Sequence, residues 1–290
     1  MQFLKQNFAI AVLGALLIFC VTVWSAVYAE TPRGVLTFAV LDIGQGDSLY
    51  IEGPTGIQII VDGGPGSALL RELPNVMPQF DRSLDAVIET HPDADHISGF
   101  IDLLKRYEVG VFIEPGIQKD TITARTLEQE ITEMNIPRVI ARRGMWLDLG
   151  GGAQLQILFP DFDVSNIDQK KDNDGGIVAH LVYGKTSVLL MADTDFVVED
   201  HLMAISSSTD LKSTILKVGH HGSKTSTGEK FVEEVDPQVA VISVGARNTY
   251  GHPTQRVLDT LFNHDIETLR TDEEGTIIFT SNGETFSRAQ

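Results

Sequence analysis

The sequence predicts an α+β fold in which two β-sheets stack face to face with helices on the outside. Three observations lead there. Short apolar runs bounded by glycine recur from residue 35 onward, as strands do. Amphipathic helical stretches join them only after an opening meander. This strand-then-βα texture occurs twice, giving two sheets, each with one face for a shared core and one for its own helices.

In the first half, residues 35–41, 48–51 and 57–61 read as a meander, with Gly53-Pro54-Thr55-Gly56 as a hairpin turn. Residues 84–88 read as the next strand, 97–107 as a helix, 109–113 as a strand and 123–134 as an amphipathic helix stopped near Pro137. The second half repeats the pattern. Strands at 155–158, 177–182 and 187–191 lead to a helix at 196–205, then a strand at 215–218 and a helix at 229–235. A strand at 239–244, a helix at 254–264 and a hairpin near 276–286 close it. No Pro- or Ser-rich linker, low-complexity tract or close-spaced repeat divides residues 34–290, which are read as one domain with ample apolar content, 42% of the chain, for a core.

Residues 1–29 stand apart. Lys5 is the only charged side chain before an apolar run that ends at Ala29 and is long enough for the roughly 20 residues that span a bilayer. This is an export signal by its pattern, with Val27 and Ala29 preceding a cleavage site at Glu30, or an anchor that stays attached; both remain open. Lys5 before the run and Glu30 after it place the remainder outside the cytoplasm: secreted, periplasmic, or anchored to the outer face of the cytoplasmic membrane. Cys20, the single cysteine, lies inside this run, next to a bulky Phe19 that a lipoprotein signal would not carry, and reads as a membrane-facing hydrophobe. The rest of the chain therefore has no disulfide and no thiolate chemistry. A formal charge of −18 makes long-range steering toward a polyanion such as DNA unfavourable unless bound cations or a local basic patch reverse it.

The chemistry concentrates just past strand ends. His91-Pro92-Asp93-Ala94-Asp95-His96 packs two histidines and two carboxylates into six positions, Asp193 follows Leu189-Leu190-Met191-Ala192, and His220-His221 follow Leu216-Lys217-Val218-Gly219. Loops at one edge of a sheet can converge. A mixed His and carboxylate set suits zinc, manganese or iron. Either Asp93 or Asp95 alone would be read as a cap of the following helix, but clustered carboxylates repel and call for a cation. The loop lacks the later ligands of an EF-hand.

A series of motifs runs in order along residues 36–285. It comprises Val40-Leu41-Asp42-Ile43-Gly44-Gln45-Gly46-Asp47-Ser48, Ile60-Val61-Asp62-Gly63-Gly64, Thr90-His91-Pro92-Asp93-Ala94-Asp95-His96, Leu216-Lys217-Val218-Gly219-His220-His221-Gly222-Ser223-Lys224-Thr225-Ser226, and Asn248-Thr249-Tyr250-Gly251-His252-Pro253. In these the chain resembles the metallo-β-lactamase superfamily, whose signature is His-x-His-x-Asp-His, and more closely the hydrolase domain of ComEC-type DNA-uptake proteins. The resemblance implies a four-layer αβ/βα sandwich, the metallo-β-lactamase fold, over residues 34–290.

It also implies a site with two divalent metal ions, zinc or manganese. His91 and Asp93 would hold one, Asp95 and His96 the second, Asp193 would bridge them, and one of His220 and His221 would complete the second site. Asp93 stands where a histidine is commoner, as it does in the DNA-uptake subfamily. Asp62 is read as a turn residue or a support for ligands, not a ligand. The chain departs from the family at Asp172-Asn173-Asp174-Gly175-Gly176, where no histidine ligand is matched, and at Met191-Ala192-Asp193, where Thr-Gly-Asp is commoner; one metal site is therefore expected to be weak or open. His180, His201 and His264 are given structural readings.

The function this implies is metal-dependent hydrolysis outside the cytoplasm by a phosphodiesterase or nuclease, with metal-bound hydroxide as nucleophile, since no Ser–His–Asp arrangement is evident. Asp95 and His252 are the candidate catalytic residues, His252 as proton donor or phosphate contact; Ser223, Lys224 and Ser226 are further candidates for phosphate. The implied partners are a phosphodiester substrate such as DNA and a membrane DNA-uptake channel, since this chain lacks the run of membrane helices a channel needs. Nucleotides, phosphorylcholine, cell-wall phosphodiesters and lactams stay open as substrates, as does a metal-binding envelope module that acts by association.

Overall fold

Strands apolar on both sides need cover on both faces, and the chain supplies it. The computed structural model covers residues 2–29, 34–168 and 171–289, with side chains described for these apart from 2–9, 25–29 and 208–209. Its strands are β1 (Leu36–Val40), β2 (Leu49–Glu52), β3 (Gln58–Val61), β4 (Ser83–Ile88), β5 (Glu108–Glu114), β6 (Arg138–Ile140), β7 (Trp146–Gly150), β8 (Ala153–Phe159), β9 (Val178–Tyr183), β10 (Thr186–Leu190), β11 (Ile215–Lys217), β12 (Val239–Ile242), β13 (Glu267–Arg270), β14 (Ile277–Ser281) and β15 (Phe286–Arg288). The helices are α1 (Gln2–Ala29), α2 (Ala68–Val76), α3 (Ala94–Leu104), α4 (Ile122–Glu133), α5 (Phe196–Ile205), α6 (Ser208–Leu211), α7 (Glu229–Val235), α8 (Gln255–Asn263) and α9 (Thr271–Glu274).

One sheet runs β15-β14-β1-β2-β3-β4-β5-β6 and the other β13-β12-β11-β10-β9-β8-β7. Each is antiparallel where it meanders and parallel where helices connect it: β3 to β6 in the first, β10 to β13 in the second. The period-2 alternation of strands sorts their side chains into layers. Phe38, Ile51, Ile59 and Ile88 face Leu155, Leu181, Val188 and Val241 between the sheets. Ala39, Tyr50, Ile60 and Val87 turn outward onto Leu73, Phe100, Leu103 and Leu127 of α2, α3 and α4, while Leu189, Leu216 and Ala240 turn onto Leu202, Phe231 and Leu261 of α5, α7 and α8. This is the α+β, four-layer arrangement expected.

Helix α3 begins at Ala94, earlier than apolar periodicity indicates, because the amides of His96 and Ile97 both donate to the Asp93 carbonyl at 2.9 and 3.0 Å. Asp95 and His96 thus belong to its first turn and not to the preceding loop. The described side chains of α1, Ile10 to Trp24, are exposed, and among the described residues no helix is long and apolar enough to cross a membrane. The expected cleavage site at Glu30 lies outside the described residues.

Candidate metal centre

The parallel strands of both sheets end at one place, the edge where open α/β sheets gather ligands. From the first sheet, β3 delivers Asp62, whose φ of 60° turns the chain sharply, and β4 delivers the segment from Glu89 into α3. The buried Asp62 carboxylate organises that segment. It accepts from the Thr90 amide at 2.8 Å and the Thr90 hydroxyl at 2.6 Å, and its Oδ2 lies 2.8 Å from His96 Nδ1. With its proton committed to Asp62, Thr90 Oγ1 can only accept from His91 Nδ1, 3.0 Å away. Both imidazoles are thereby held with Nδ1 protonated and Nε2 free toward the centre, as metal-ligating histidines are oriented.

Close backbone approach requires glycine at two points. A Cβ on Gly99 would sit 1.9 Å from the Gly63 carbonyl oxygen, so α3 packs directly on the turn after Asp62. A Cβ on Gly46, whose φ is +124°, would sit 2.1 Å from the Asp95 carbonyl, so the loop after β1 lies directly beneath Asp95.

The second sheet contributes from the opposite side. After β10, Ala192 at φ 49° turns Asp193 inward, and after β11 His220 and His221 both adopt left-handed backbone, φ 47° and 53°, a strain typical of functional sites. His221 Nδ1 donates to the Ser243 carbonyl at 3.0 Å, aiming its Nε2 at the centre. Asp193 Oδ2 then lies 3.2 Å from His221 Nε2 and 3.4 Å from His96 Nε2, and Asp95 Oδ2 lies 3.9 Å from His221 Nε2. The ligand atoms of His91, His96 and Asp193 come within 4.8 Å of one another, as do those of Asp95, His96 and His221.

Asp47 is a further member that spacing alone leaves without a role. Its Oδ2 receives the Lys217 ammonium at 2.8 Å in a pair with both side chains sealed from solvent, and its Oδ1 is 3.4 Å from His221 Nδ1. Lys217 ends β11 just before the histidines, but nothing in the sequence links it to a residue 170 positions away.

The electrostatics are those of a site built for a cation. Burial pushes Asp193 up, yet the imidazoles of His221 and His96 hold it well below the carboxylate range. Burial pushes His221 down, but Asp193 and Asp47 outweigh it and raise it to about 9; Asp193 and Asp62 likewise raise His96. Burial and the neighbouring His96 lower His91.

The donor set fits a divalent ion. His91 Nε2, His96 Nε2, His221 Nε2, Asp193 Oδ1 and Asp47 Oδ1 are buried without a hydrogen-bond partner. Each unsatisfied group costs about 1–3 kcal/mol, and mixed imidazole and carboxylate shells around divalent ions would satisfy those that face the centre.

Of the sequence candidates, the structure brings together His91, Asp95, His96, Asp193 and His221. Asp93 stands at the N-cap of α3 but makes no capping bond; its Oδ2 is 3.7 Å from His91 Nε2 while its other oxygen pairs with Lys119, which also grips Asp172. His220 lies at the rim, its Nδ1 3.0 Å from Asp195 Oδ1 and its Nε2 3.8 Å from Asp193 Oδ2. His252 is packed edge-on against His220, ring centroids 5.7 Å apart, and its buried Nδ1 has no partner. Ser226 is spent on the Gly219 carbonyl and Ser223 on Thr225, so neither is free for phosphate. His180 is buried on β9 against Ser213.

Fold and site together define a metallo-β-lactamase-type protein. The family model of the Metallo-beta-lactamase superfamily matches residues 41–246, and the chain belongs to that superfamily; its fold implies divalent metal binding. Within it the chain is similar to competence proteins. It is 34% identical over 256 residues to ComE operon protein 3 of Bacillus subtilis, covering 82% of this chain and 32% of that protein. It is 29% identical over 249 residues to Competence protein ComA of Neisseria gonorrhoeae, covering 86% and 33%. The chain thus spans about a third of the length of these curated relatives. Among solved structures, Igni18, a metallo hydrolase from Ignicoccus hospitalis, shares the fold with a TM-score of 0.51 at 14% identity, covering 84% of this chain and 98% of that one.

Proposed function

We propose that this chain is an extracytoplasmic, metal-dependent phosphodiesterase that acts on DNA and works beside a membrane DNA-uptake channel. The observation that carries the reading is the set of unpartnered Nε2 atoms of His91, His96 and His221 converging on Asp193. Two divalent ions, zinc or manganese, would polarise a phosphoryl group and lower the pKa of water there. His91, Asp95, His96, Asp193 and His221 would hold them, with Asp193 facing both groups of imidazoles. Asp62, Thr90 and the Ser243 carbonyl keep those imidazoles in register. Asp95, whose side chain is 36% exposed, faces the open side and would take the proton from the attacking water. His252 would contact the phosphate or the departing oxygen.

The similarity to competence proteins favours a phosphodiester over the other exported esters, over a stretch that is about a third of the length of those proteins. Residues 1–29 would deliver the domain across the cytoplasmic membrane and, if retained, anchor it there.

A second reading is favoured by one contact. Lys119, held between Asp93 and Asp172, draws Asp93 away from the ligand set, which suits a single-ion or non-catalytic metal-binding module. Metal content of protein purified without chelator, alongside turnover of bis-p-nitrophenyl phosphate and of single- and double-stranded DNA with added zinc or manganese, separates the two. About two ions per chain and cleavage lost in Asp95→Ala is the result expected; one ion or none and no metal-stimulated turnover would leave the binding module.

A further inference from the structure

Residues 245–253, which follow β12, form a lip beside the centre that the Asn248 side chain clasps. Asn248 Nδ2 donates to the carbonyls of Gly245 and His252 at 2.9 and 2.8 Å, and its Oδ1 accepts from the amides of Tyr250 and His252 at 3.2 and 3.1 Å. Gly251 at φ +74° makes the turn between them. The clasp lays the Tyr250 ring on that of His252, centroids 5.8 Å and planes 26° apart. His252 in turn stands edge-on to His220. Tyr250 is thus fixed two rings from the metal-ligand cluster, yet it is 68% exposed.

A ring so exposed adds little to folding. Held flat at the rim of a phosphodiester site, it offers a π-face to whatever lies there. The charge balance says what that is for. A chain of net charge −18 does not retain a polyanion by long-range attraction, whereas stacking is short-ranged, tolerant of sequence and independent of net charge. Two cations, Arg247 on this lip and Lys224 three residues after His221, are exposed and make no ion pair among the described residues, leaving them for backbone phosphates.

We propose that Tyr250 is a nucleobase-stacking platform, so that the preferred substrate is a nucleic-acid strand with unpaired bases, the base beside the scissile phosphate lying on this ring. A duplex, whose bases already stack on one another, offers no such face. The proposal rests on the phosphodiesterase reading and deepens it.

The test uses the full chain with Mn²⁺ and two single-stranded oligomers of equal length, one of thymidine units and one of abasic tetrahydrofuran units with the same phosphodiester backbone. Stacking of one base predicts a kcat/KM ratio of roughly 5 to 150 in favour of the thymidine oligomer, expressed in KM. Tyr250→Phe, which keeps the ring, retains the ratio, and Tyr250→Ala brings it toward one. Equal turnover of the two oligomers by the wild-type protein, or a ratio that survives Tyr250→Ala, overturns the platform while leaving the phosphodiesterase reading intact. Turnover of neither oligomer overturns both.

Discussion

Replacing Lys217 by methionine isolates the buried charge pair beneath the centre. Lys217 and Asp47 are sealed from solvent at 2.8 Å, so the substitution keeps the volume of the side chain but leaves a buried carboxylate without its ammonium partner. Removing one partner of a buried pair costs about 3–5 kcal/mol, and for a domain of this size about 2–4 °C in Tm accompanies each kcal/mol, so Lys217→Met should melt about 6–20 °C below the wild type. Removing both charges, in Lys217→Met with Asp47→Leu, should recover most of the loss, since an apolar pair of similar volume is close to neutral. The loss also has a pH signature. Burial pushes Asp47 up, and in the wild type Lys217 and His221 hold it far below the ordinary carboxylate range, so its contribution is present above the unfolded pKa of about 4 and fades below it. Without Lys217 burial dominates, the folded pKa rises, and protonation relieves the penalty. The gap between wild type and variant is therefore greatest near neutrality and narrows as pH falls toward 4. Thermal melts in chelator, from pH 4 to 8, read all of this. A loss under about 1 kcal/mol at pH 7, or a double variant no better than Lys217→Met, would refute the reasoning.

Cation affinity should climb with pH. Asp193 and Asp47 hold His221 at about 9, so below that an ion must displace its proton, and calorimetry in buffers of different ionisation enthalpy should show proton release that declines as pH rises through 9. By the same sign, the ion-free protein gains stability from protonated His221 below its ordinary pKa of 6.5 and loses it as pH rises through 9. Asp62→Ala removes the acceptor that fixes His96 and, through Thr90, His91; a drop of about 10- to 100-fold in metal affinity is expected by titration. Lys119→Ala frees Asp93 from a partly exposed ion pair worth about 0.2–1 kcal/mol, and should tighten the weaker ion by up to about fivefold.

What the sequence revealed and what it hid divide along physical lines. Buried parallel strands such as Ile215–Lys217 and Val239–Ile242 announce themselves as apolar runs, because both their faces are covered. Among the elements without a clear signal are β6, β7 and β13, at sheet edges, where strands are short and carry polar residues such as Arg138, Asp148 and Glu267, and α2, whose pattern is broken by Pro74. At the centre, the residue types that bind cations were legible in His91 through His96, and so were Asp193 and the His220-His221 pair. The choice between those two histidines was not, because it depends on a bond from His221 to the carbonyl of Ser243, 22 residues away. Asp47, Lys217 and Lys119 were equally hidden, since Asp47 and Lys217 meet only after the two sheets have closed and Lys119 reaches Asp93 and Asp172 from 26 and 53 residues away.

That closure gives the centre a second character. His91, Asp95 and His96 come from the first sheet's half of the chain, Asp193 and His221 from the second, so neither half can make the site alone. An ion seated between them would be a rivet through the seam, adding its binding free energy to the cohesion of Phe38, Ile88, Leu181 and their neighbours in the layer below. Whatever pries the sheets apart would also disarm the chemistry, so that a partly opened molecule would release its ions before it could act on a substrate.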